Sequence, residues 1–329
     1  MKIVFFAHAY WELHWMYRVI KTLNAPVYTD DEETRRVALD SGFEVLDIPW
    51  NEFLNLDHPY EIVVTTNMHI GQNRSVVEAF FSKGKKAILM QHAWDSDLNF
   101  LDKFWNYDMS RFSYYLVGST QDEEWLGKKH GEKIINTGIP HLDDLCEVSR
   151  EKKTREYITD IVGTSPYFLS MIPDSGVHGS SLRDEYFNLS HSHKIFFKIH
   201  PGGNHQTTAE SLKSIDPTLI CLPDPHGDPK FTYRLMNSSS GVICYESFMT
   251  VEASLLKRPV ISPSPEKMDQ SFYNREENSL QKDRVPDGMA SPIEAPQYNP
   301  IQDGLAKLYQ CDGHNTERVV NFLYRLIKE

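Results

Sequence analysis

The sequence is poor in cysteine and lacks the short motifs that mark several common enzyme classes. The four cysteines of this 329-residue chain form no CxxC pair and no zinc-finger spacing; they are Cys146, Cys221, Cys244 and Cys311. This spacing disfavours a disulfide scaffold and predicts a reduced, cytosolic protein. The chain also has no GxGxxG fingerprint, no GxxxxGK[ST] loop and no HExxH segment, so neither a dinucleotide dehydrogenase nor an NTPase is indicated. Nothing in the sequence calls for a metal or a cofactor.

Long apolar runs and an excess of positive charge are also missing. No stretch approaches the ~20 apolar residues that cross a bilayer, and the opening MKIVFFAHAYWELHW predicts a first strand instead of a signal peptide. The formal net charge of -12 argues against a nucleic-acid partner but is compatible with a small basic pocket for a phosphorylated ligand. We therefore expect a cytoplasmic protein, whose membrane contact, if any, is peripheral and at the inner face. The oligomeric state stays open.

Short apolar segments alternate with helical patterns along the whole chain. Strands are expected at residues 3–7, 26–29, 44–48, 62–66, 87–91, 114–118, 134–137, 167–171, 194–199, 219–222, 241–244 and 259–262. Helices are expected at residues 12–23, 31–41, 73–83, 121–130, 147–161, 180–190, 207–214, 230–237, 248–256 and 301–328, with a long loop at 270–300. Alternation at this spacing is typical of parallel sheets with helices on both faces.

The fold-class prediction is α/β, with two doubly wound Rossmann-like domains facing a cleft. We expect residues 1–155 to form an N-terminal acceptor domain and residues 156–300 a C-terminal nucleotide-donor domain. The final helix, within 301–329, packs back on either domain. In such sheets ligands bind at the carboxyl ends of the strands, so polar residues at those ends are the candidate site residues.

Two segments of the second half carry the strongest polar signals. The stretch FFKIHPGGNH, residues 196–205, reads as a buried strand that ends in Lys198 and His200, whose positive charge and directional donors suit a phosphate oxygen. In a second strand-to-helix segment, the Ser247 and Thr250 hydroxyls at the helix start form an anion site aided by the helix dipole. Glu252 follows in the same helix; its carboxylate either accepts the hydroxyls of a ribose or is simply a favourable charge near a helix N-terminus.

In the N-terminal half of the sequence, histidines follow the C-terminal ends of several expected strands. His92 follows the strand at residues 87–91, where an imidazole can take a proton from a hydroxyl; taken alone, the residue favours a structural or hydrogen-bonding role over a catalytic one. His8 and His14 follow the first strand, with Trp11 and Glu12, and His69 follows the strand at 62–66. Clustered His and Trp side chains suit contacts with a sugar. Core packing of the aromatic members is an alternative explanation.

One further segment, residues 136–143, is explained by turn chemistry. Gly138 and Pro140 shape a strand-to-helix turn, and Asp143 is placed to cap a helix through its backbone N–H groups.

Taken together, these segments resemble the nucleotide-sugar enzymes of the GT-B superfamily. The resemblance rests on the order of three motifs: the Gly138-x-Pro140 turn, the Lys198-x-His200-Pro segment, and the helix with Glu252 that runs into Pro-Val-Ile at 259–261. It covers roughly residues 60 to 262. Two branches are similar, the CDP-glycerol glycerophosphotransferases with related bacterial capsule and wall-polymer transferases, and the UDP-N-acetylglucosamine 2-epimerases.

The resemblance implies roles for individual residues. Lys198 and His200 address the diphosphate or leaving phosphate, with His200 as a catalytic residue, and Glu252 binds the ribose. The remaining donor-binding residues that it implies are Glu246, Ser247, Thr250, Pro223 and Asp224. His92 occupies the place of the base in the transferase branch, whose W-H-G-T segment is altered here to Gln-His-Ala-Trp. The acceptor-binding residues are expected to be His8, His14 and His69.

The implied activity is metal-independent transfer of a glycosyl or glycerophosphate-type group. The donor is nucleotide-activated (CDP-, CMP- or UDP-linked), and the acceptor is a hydroxyl of a cell-surface glycan or polymer. The acids that carry out epimerisation in the other branch are not reproduced at residues 66–69 and 91–95, which favours transfer. An epimerase-like enzyme and a non-catalytic nucleotide-sugar-binding protein remain the alternatives.

Overall fold

The computed structural model describes residues 2–55, 59–66, 71–92, 109–151, 167–171, 194–198, 210, 220–222, 228–244, 248–261 and 300–328. The chain divides into two compact units. Unit 1 comprises Met1–Cys146 and Leu308–Glu329, and unit 2 comprises Glu147–Lys307. The end of the chain therefore belongs to the same unit as its beginning.

A parallel sheet forms the centre of unit 1. Its described strands are β1 (Ile3–Phe6), β2 (Val27–Tyr28), β3 (Ile62–Thr65), β4 (Lys86–Met90), β5 (Tyr114–Val117) and β6 (Ile134–Asn136), in the order β2-β1-β3-β4-β5-β6. The register pairs Phe5 with Val27 on one side and with Val64 on the other. Because the chain moves outward from β1 to β2 and then returns to β3, the switch point lies at β1 and β3, where an open α/β sheet has its crevice.

Helices cover both faces of this sheet, as the strand pattern requires. The described helices of the chain are α1 (Tyr10–Leu23), α2 (Glu32–Asp40), α3 (Trp50–Asn55), α4 (Gly71–Ser82), α5 (Thr120–His130), α6 (Leu142–Arg150), α7 (Phe231–Ser238), α8 (Met249–Leu255), α9 (Pro300–Leu308) and α10 (Asn315–Lys328). Within these described segments, no helix combines the length and the apolar character that a bilayer span requires.

Alternating side chains of β1 pack into two separate hydrophobic cores, one on each face of the sheet. Phe5 packs in one cluster with residues of α1 and α10, such as Leu323, whereas Phe6 packs in the other with Phe53 of α3 and Phe80 of α4. Successive strand side chains point to opposite faces, so one strand that is apolar at every position must be covered on both sides. The continuous apolar run of β1 is thus the sequence signature of a central strand.

Unit 2 contains a second parallel sheet. Its described strands are β7 (Tyr167–Met171), β8 (Lys194–Lys198), β9 (Ile220–Leu222), β10 (Gly241–Cys244) and β11 (Val260–Ile261), in the order β11-β10-β7-β8-β9. Here the switch point lies between β7 and β10. The first residues of unit 2 are held by α7, because Arg234 donates two hydrogen bonds of 3.1 Å to the Glu151 carboxylate.

Three secondary-structure expectations require correction. The strand expected at 44–48 is a single parallel bridge between Val45 and Val27, too short to extend the sheet. The helix expected from 147 starts earlier, at Leu142. The single final helix expected over 301–328 is two helices, because Gly313 adopts φ +85° between α9 and α10 and a left-handed residue interrupts a helix. The helices expected at 180–190 and 207–214, and the loop expected at 270–300, lie outside the described residues apart from Glu210 and residue 300.

The final helix is fixed to unit 1 by a carboxylate far away in sequence. Asp143, in the first turn of α6, accepts hydrogen bonds from the backbone N–H groups of Asn315 (3.1 Å) and Thr316 (2.7 Å) at the start of α10. The fully buried Asn315 side chain donates to the carbonyl oxygen of Ile139 (3.1 Å). Gly138 adopts φ +75° beside it. The predicted turn is therefore confirmed, but Asp143 caps a helix about 170 residues further along the chain.

We expect Gly138→Ala to destabilise the protein more than Gly84→Ala does. Both glycines have positive φ, at which a Cβ costs about 1–2 kcal/mol, but a Cβ at Gly84 meets open space whereas one at Gly138 overlaps the Asn315 side chain. Urea unfolding of both variants measures the difference, which we expect to exceed about 1 kcal/mol because the buried Asn315 must be displaced. Equal losses in the two variants would contradict this packing.

Candidate functional site

Polar residues converge on the carboxyl edge of the unit 1 sheet, around its switch point. They form hydrogen bonds across the ends of β2, β1, β3 and β4, which we call the edge network; the His92–Thr66 bond joins the others only through the peptide bond between Thr65 and Thr66. Its members are His8, Glu12, Asp30, Thr65, Thr66, Asn73 and His92.

Glu12 lies at the centre of the edge network and is fully buried. Its Oε2 accepts the backbone N–H groups of His8 (2.7 Å) and Ala9 (3.2 Å), and its Oε1 accepts from Asn73 Nδ2 (3.1 Å). Asn73 also donates to Thr65 Oγ1 (2.7 Å), which links the loop after β1 to the end of β3. Burial raises the pKa of Glu12 to about 8, against the lowering effect of the three N–H donors. The carboxyl is thus mainly protonated at neutral pH.

His8 and Asp30 form a pair at the ends of the adjacent strands β1 and β2. His8 Nδ1 lies 2.7 Å from Asp30 Oδ1, and the two side chains are 28% and 17% exposed. Because a carboxylate only accepts, Nδ1 carries the proton and the lone pair of the neutral ring lies on Nε2. The backbone of His8 is fixed as well, since its carbonyl oxygen accepts from Thr34 Oγ1 (2.9 Å).

His92 is held in the same tautomer by a different partner. Its Nδ1 lies 2.8 Å from the backbone oxygen of Thr66, and a carbonyl oxygen only accepts, so the lone pair again lies on Nε2. The imidazole is stacked on the ring of Trp15 in α1, with centroids 3.7 Å apart and planes at 15°. Three elements therefore fix this ring, and the predicted position of His92 at the strand end is observed.

Gln91, beside His92, joins β4 to the next strand and helix. Its Oε1 accepts the N–H of Gly118 (2.6 Å) and its Nε2 donates to Asp122 Oδ2 (3.0 Å). Ser119 caps α5 by accepting the N–H of Asp122 (3.0 Å). The side chain of Gln91 is 7% exposed and is fully used in this bridge. It is therefore a structural residue of the edge.

In unit 2, the described donor-binding candidates are buried. Lys198 closes β8 and is 3% exposed, and Thr250 and Glu252 on α8 are 4% and 8% exposed. Glu252 Oε1 accepts a hydrogen bond of 3.0 Å from the hydroxyl of Tyr233 on α7. This bond orients the carboxylate that the sequence motif singles out.

The remaining site candidates divide into one that is described and six that are not. His14 lies on α1, half-buried, with its ring edge-on to Tyr10 at 6.1 Å. The other candidates lie outside the described residues; they are His69, His200, Pro223, Asp224, Glu246 and Ser247. In the part of the chain that the structure describes, no group of three or more His, Cys, Asp or Glu side chains is arranged to hold a metal ion.

Sequence reasoning missed five residues of these sites: Asp30, Thr65, Asn73, Trp15 and Tyr233. Asp30 alone carried a usable signal, since it follows a short apolar strand at the same distance as His8 follows β1. Trp15 and Tyr233 lie on helices and are selected only by the packing of those helices against distant strands. Local sequence patterns do not encode such contacts.

Comparison with known proteins gives structural matches only. No family model matches the sequence, and a search of curated proteins finds no significant relative. Among solved structures, UDP-GlcNAc 2-epimerase from Methanocaldococcus jannaschii, in complex with UDP-GlcNAc and UDP, has a TM-score of 0.64 at 14% identity and covers 99% of this chain and 100% of its own. The Neisseria meningitidis enzyme bound to UDP-GlcNAc has a TM-score of 0.65 at 12% identity, with coverage of 99% and 100%.

A third match comes from the transferase branch. A variant of the wall teichoic acid polymerase TagF, soaked with CDPG, has a TM-score of 0.63 at 12% identity and covers 99% of this chain and 89% of its own. Identities this low establish the fold and not the activity. The chain shares the fold of these enzymes, so the predicted α/β class with two Rossmann-like domains is confirmed, and the expected resemblance to the two enzyme branches is confirmed at the level of the fold.

We expect Glu12→Gln to remove a pH dependence from the stability of unit 1. The carboxyl ionises near pH 4.5 in the unfolded chain and near pH 8 in the folded protein. Between these two pH values the free energy of unfolding of the wild type falls by up to about 1.4 kcal/mol per pH unit as the pH rises. Above pH 8 this group causes no further loss. Gln stays neutral at every pH. Its amide can form a hydrogen bond with Asn73 if the Asn73 side-chain amide rotates by half a turn. This rotation breaks no bond of Asn73 Oδ1, which has no hydrogen-bond partner among the described residues.

Thermal unfolding at pH 5, 7 and 9 measures this effect. The melting temperature of Glu12→Gln should rise relative to the wild type as the pH increases. Glu52→Gln, which removes an exposed charge from α3, controls for the change in net charge. A constant difference between wild type and Glu12→Gln at all three pH values would contradict a protonated Glu12.

Proposed function

We propose that the protein is a transferase that uses a nucleotide-activated donor. Unit 2 binds the donor, which is CDP-, CMP- or UDP-linked. Unit 1 binds the hydroxyl acceptor, a glycan or polymer of the cell surface, and supplies the base. The observation that carries the proposal is the GT-B fold over 99% of the chain combined with a buried Glu252 at the expected place in α8.

The donor assignment rests on the buried polar groups of unit 2. Lys198 at the end of β8 supplies a positive charge with little exposure to solvent, and a partly desolvated charge attracts phosphate more strongly than an exposed one. Glu252, oriented by Tyr233, is the proposed acceptor of the ribose hydroxyls. His200, Ser247, Glu246, Pro223 and Asp224 complete the proposed donor site.

Transfer is favoured over epimerisation by the side chains on the edge of unit 1. In the resemblance, the epimerase acids occupy the segments after β3 and β4, where this chain has Thr66 and Gln91. Gln91 is occupied in a structural bridge between β4 and α5 and its amide has no acid–base chemistry. His92 and His8 instead carry imidazole rings, a side-chain type that suits the deprotonation of an acceptor hydroxyl.

The expected chemistry needs no covalent intermediate with the protein. A histidine takes the hydroxyl proton of the acceptor, the acceptor oxygen attacks the transferred group, and the bond to the departing nucleotide phosphate breaks. Lys198 and His200 stabilise the departing phosphate, so we propose a metal-independent reaction. Retention of full turnover in a chelator would support this point, and loss that a divalent ion restores would contradict it.

A thermal-shift screen with CDP, CMP, UDP and GDP tests the donor site. A ligand that binds only the folded state stabilises it by about 2.7 kcal/mol at a hundredfold excess over Kd, which corresponds to a shift on the order of 5 to 10 °C. We expect a shift with a cytidine or uridine nucleotide that is lost in Glu252→Ala and retained in Glu124→Ala, an exposed glutamate of α5.

Two outcomes would overturn parts of the proposal. A screen without any shift removes the support for a nucleotide donor. A shift that survives Glu252→Ala places the nucleotide elsewhere. Once a donor is identified, incubation without an acceptor separates the activities, because an epimerase converts the nucleotide sugar alone whereas a transferase requires the acceptor. Binding with neither reaction would indicate a non-catalytic binding protein.

A further inference from the structure

The resemblance assigns the base to His92, but the geometry points to a different group. We propose that His8, backed by Asp30, is the residue that takes the proton from the acceptor hydroxyl. The inference deepens the proposed transferase function and rests on it. It starts from the 2.7 Å contact between His8 Nδ1 and Asp30 Oδ1 at the switch point of the unit 1 sheet.

The partner of Nδ1 distinguishes the two histidines. His8 Nδ1 faces a carboxylate, whereas His92 Nδ1 faces the backbone oxygen of Thr66. Both partners fix the same tautomer, but only a carboxylate carries the negative charge that stabilises the imidazolium formed when Nε2 accepts a proton. The Asp30 carboxylate has its hydrogen bond with His8 and no other among the described residues, and His8 is its one ion-pair partner among them.

The backbone around His8 is unusually well fixed for a residue in a loop. Its N–H donates to Glu12 Oε2 at 2.7 Å, and its carbonyl oxygen accepts from Thr34 Oγ1 at 2.9 Å. Thr34 is in turn bonded to Asp31, the N-cap of α2. A base works only when it is held within hydrogen-bond reach of the proton. These bonds hold the backbone of His8, Asp30 holds the ring through Nδ1, and none of the three uses Nε2.

The solvent exposure of the His8 side chain agrees with its proposed role as the base. The side chain of His8 is 28% exposed, so a ligand can reach it, whereas the supporting Glu12 and Asn73 are fully buried. The position also satisfies the rule that ligands bind at the switch point of an open α/β sheet. His92, stacked on Trp15, lies at the end of β4 and forms a wall of the same edge, suited to orienting the acceptor.

The proposed step balances without any further reactant. The acceptor O–H bond breaks and its proton goes to His8 Nε2, while the acceptor oxygen forms a bond to the transferred group. The bond from that group to the nucleotide phosphate breaks, and its electron pair remains on the phosphate oxygen. The imidazolium then releases the proton to water, with Asp30 retained as the carboxylate throughout.

Nucleotide release from CDP-glycerol and from UDP-N-acetylglucosamine, with glycerol as a simple hydroxyl acceptor, tests the assignment. We expect His8→Ala to lower kcat about 100-fold or more, and Asp30→Asn, which keeps the shape but loses the charge, to lower kcat at least about tenfold. KM for the donor should be unchanged in both. Added imidazole should restore activity to His8→Ala and not to His92→Ala, an effect that a structural role of His8 would not produce.

A measurement on the wild type covers the case in which a variant fails to fold. Nitrogen-15 NMR of the histidine rings reports the tautomer of each, with His8→Asn used only to identify the His8 signal. The proposal requires the Nδ1–H form of neutral His8. The opposite tautomer would overturn it whatever the activity of the variants.

The remaining outcomes separate this inference from the proposed function. Release of nucleotide that is unaffected by His8→Ala and Asp30→Asn but abolished by His92→Ala overturns the dyad and leaves the transferase standing. Restoration of activity by imidazole in His92→Ala but not in His8→Ala would likewise overturn the dyad and leave the transferase standing. Absence of release from both donors by the wild type overturns the inference together with the transferase, because no hydroxyl is then activated.

Discussion

The buried carboxyl of Glu12 is the interaction on which the candidate site of unit 1 depends. Placing an ionised carboxylate in a fully buried position is costly, and the protein reduces this cost by three N–H donors and by a raised pKa. The donors come from the loop after β1 and from α4. One side chain therefore sets the path of the chain at the switch point: it bonds directly to the His8 backbone and reaches Thr65 through Asn73.

A second constraint acts over a much longer distance in the sequence. Asp143 accepts the two backbone N–H groups that begin α10, and the apolar face of that helix, including Val319 and Leu323, completes one core of unit 1. The first and last segments of the chain thus share a hydrophobic cluster. Unit 1 cannot complete that core until α10 has been synthesised, which ties its stability to residues that a motif search leaves unassigned.

The sequence predicts the parts of this fold that depend on local periodicity. Ile3–Phe6 is apolar at every position and Ile62–Thr65 at its first three, which is the pattern of central parallel strands. His8 and His92 each lie two residues after the end of a strand. Packing between distant segments is a different matter. The stacking of Trp15 on His92 and the capping of α10 by Asp143 join residues that share no pattern, because the fold and not the sequence spacing brings them together.

Errors in the prediction also have physical causes. The final helix was expected to be continuous because its apolar positions keep helical spacing on both sides of the break. The helix is nevertheless interrupted by the turn at residues 312–314, after which α10 begins. Gly313 leaves the right-handed region of backbone conformation, and the Asp312 side chain accepts a hydrogen bond from the backbone N–H of His314 (2.9 Å). Turn chemistry overrides periodicity where the two conflict. Apolar spacing alone therefore does not reveal the break between α9 and α10.

The net charge of the chain raises a last question for a protein proposed to bind a phosphorylated donor. A charge of -12 repels anions at long range, yet the Debye length is about 8 Å at physiological ionic strength, so distant surface carboxylates contribute little at a buried site. Lys198, 3% exposed at the end of β8, is screened far less. Recognition of an anion is then decided by the few groups around it. In the proposed function, the acidic surface disfavours a nucleic-acid partner, and the buried Lys198 is the cation expected to bind a nucleotide phosphate.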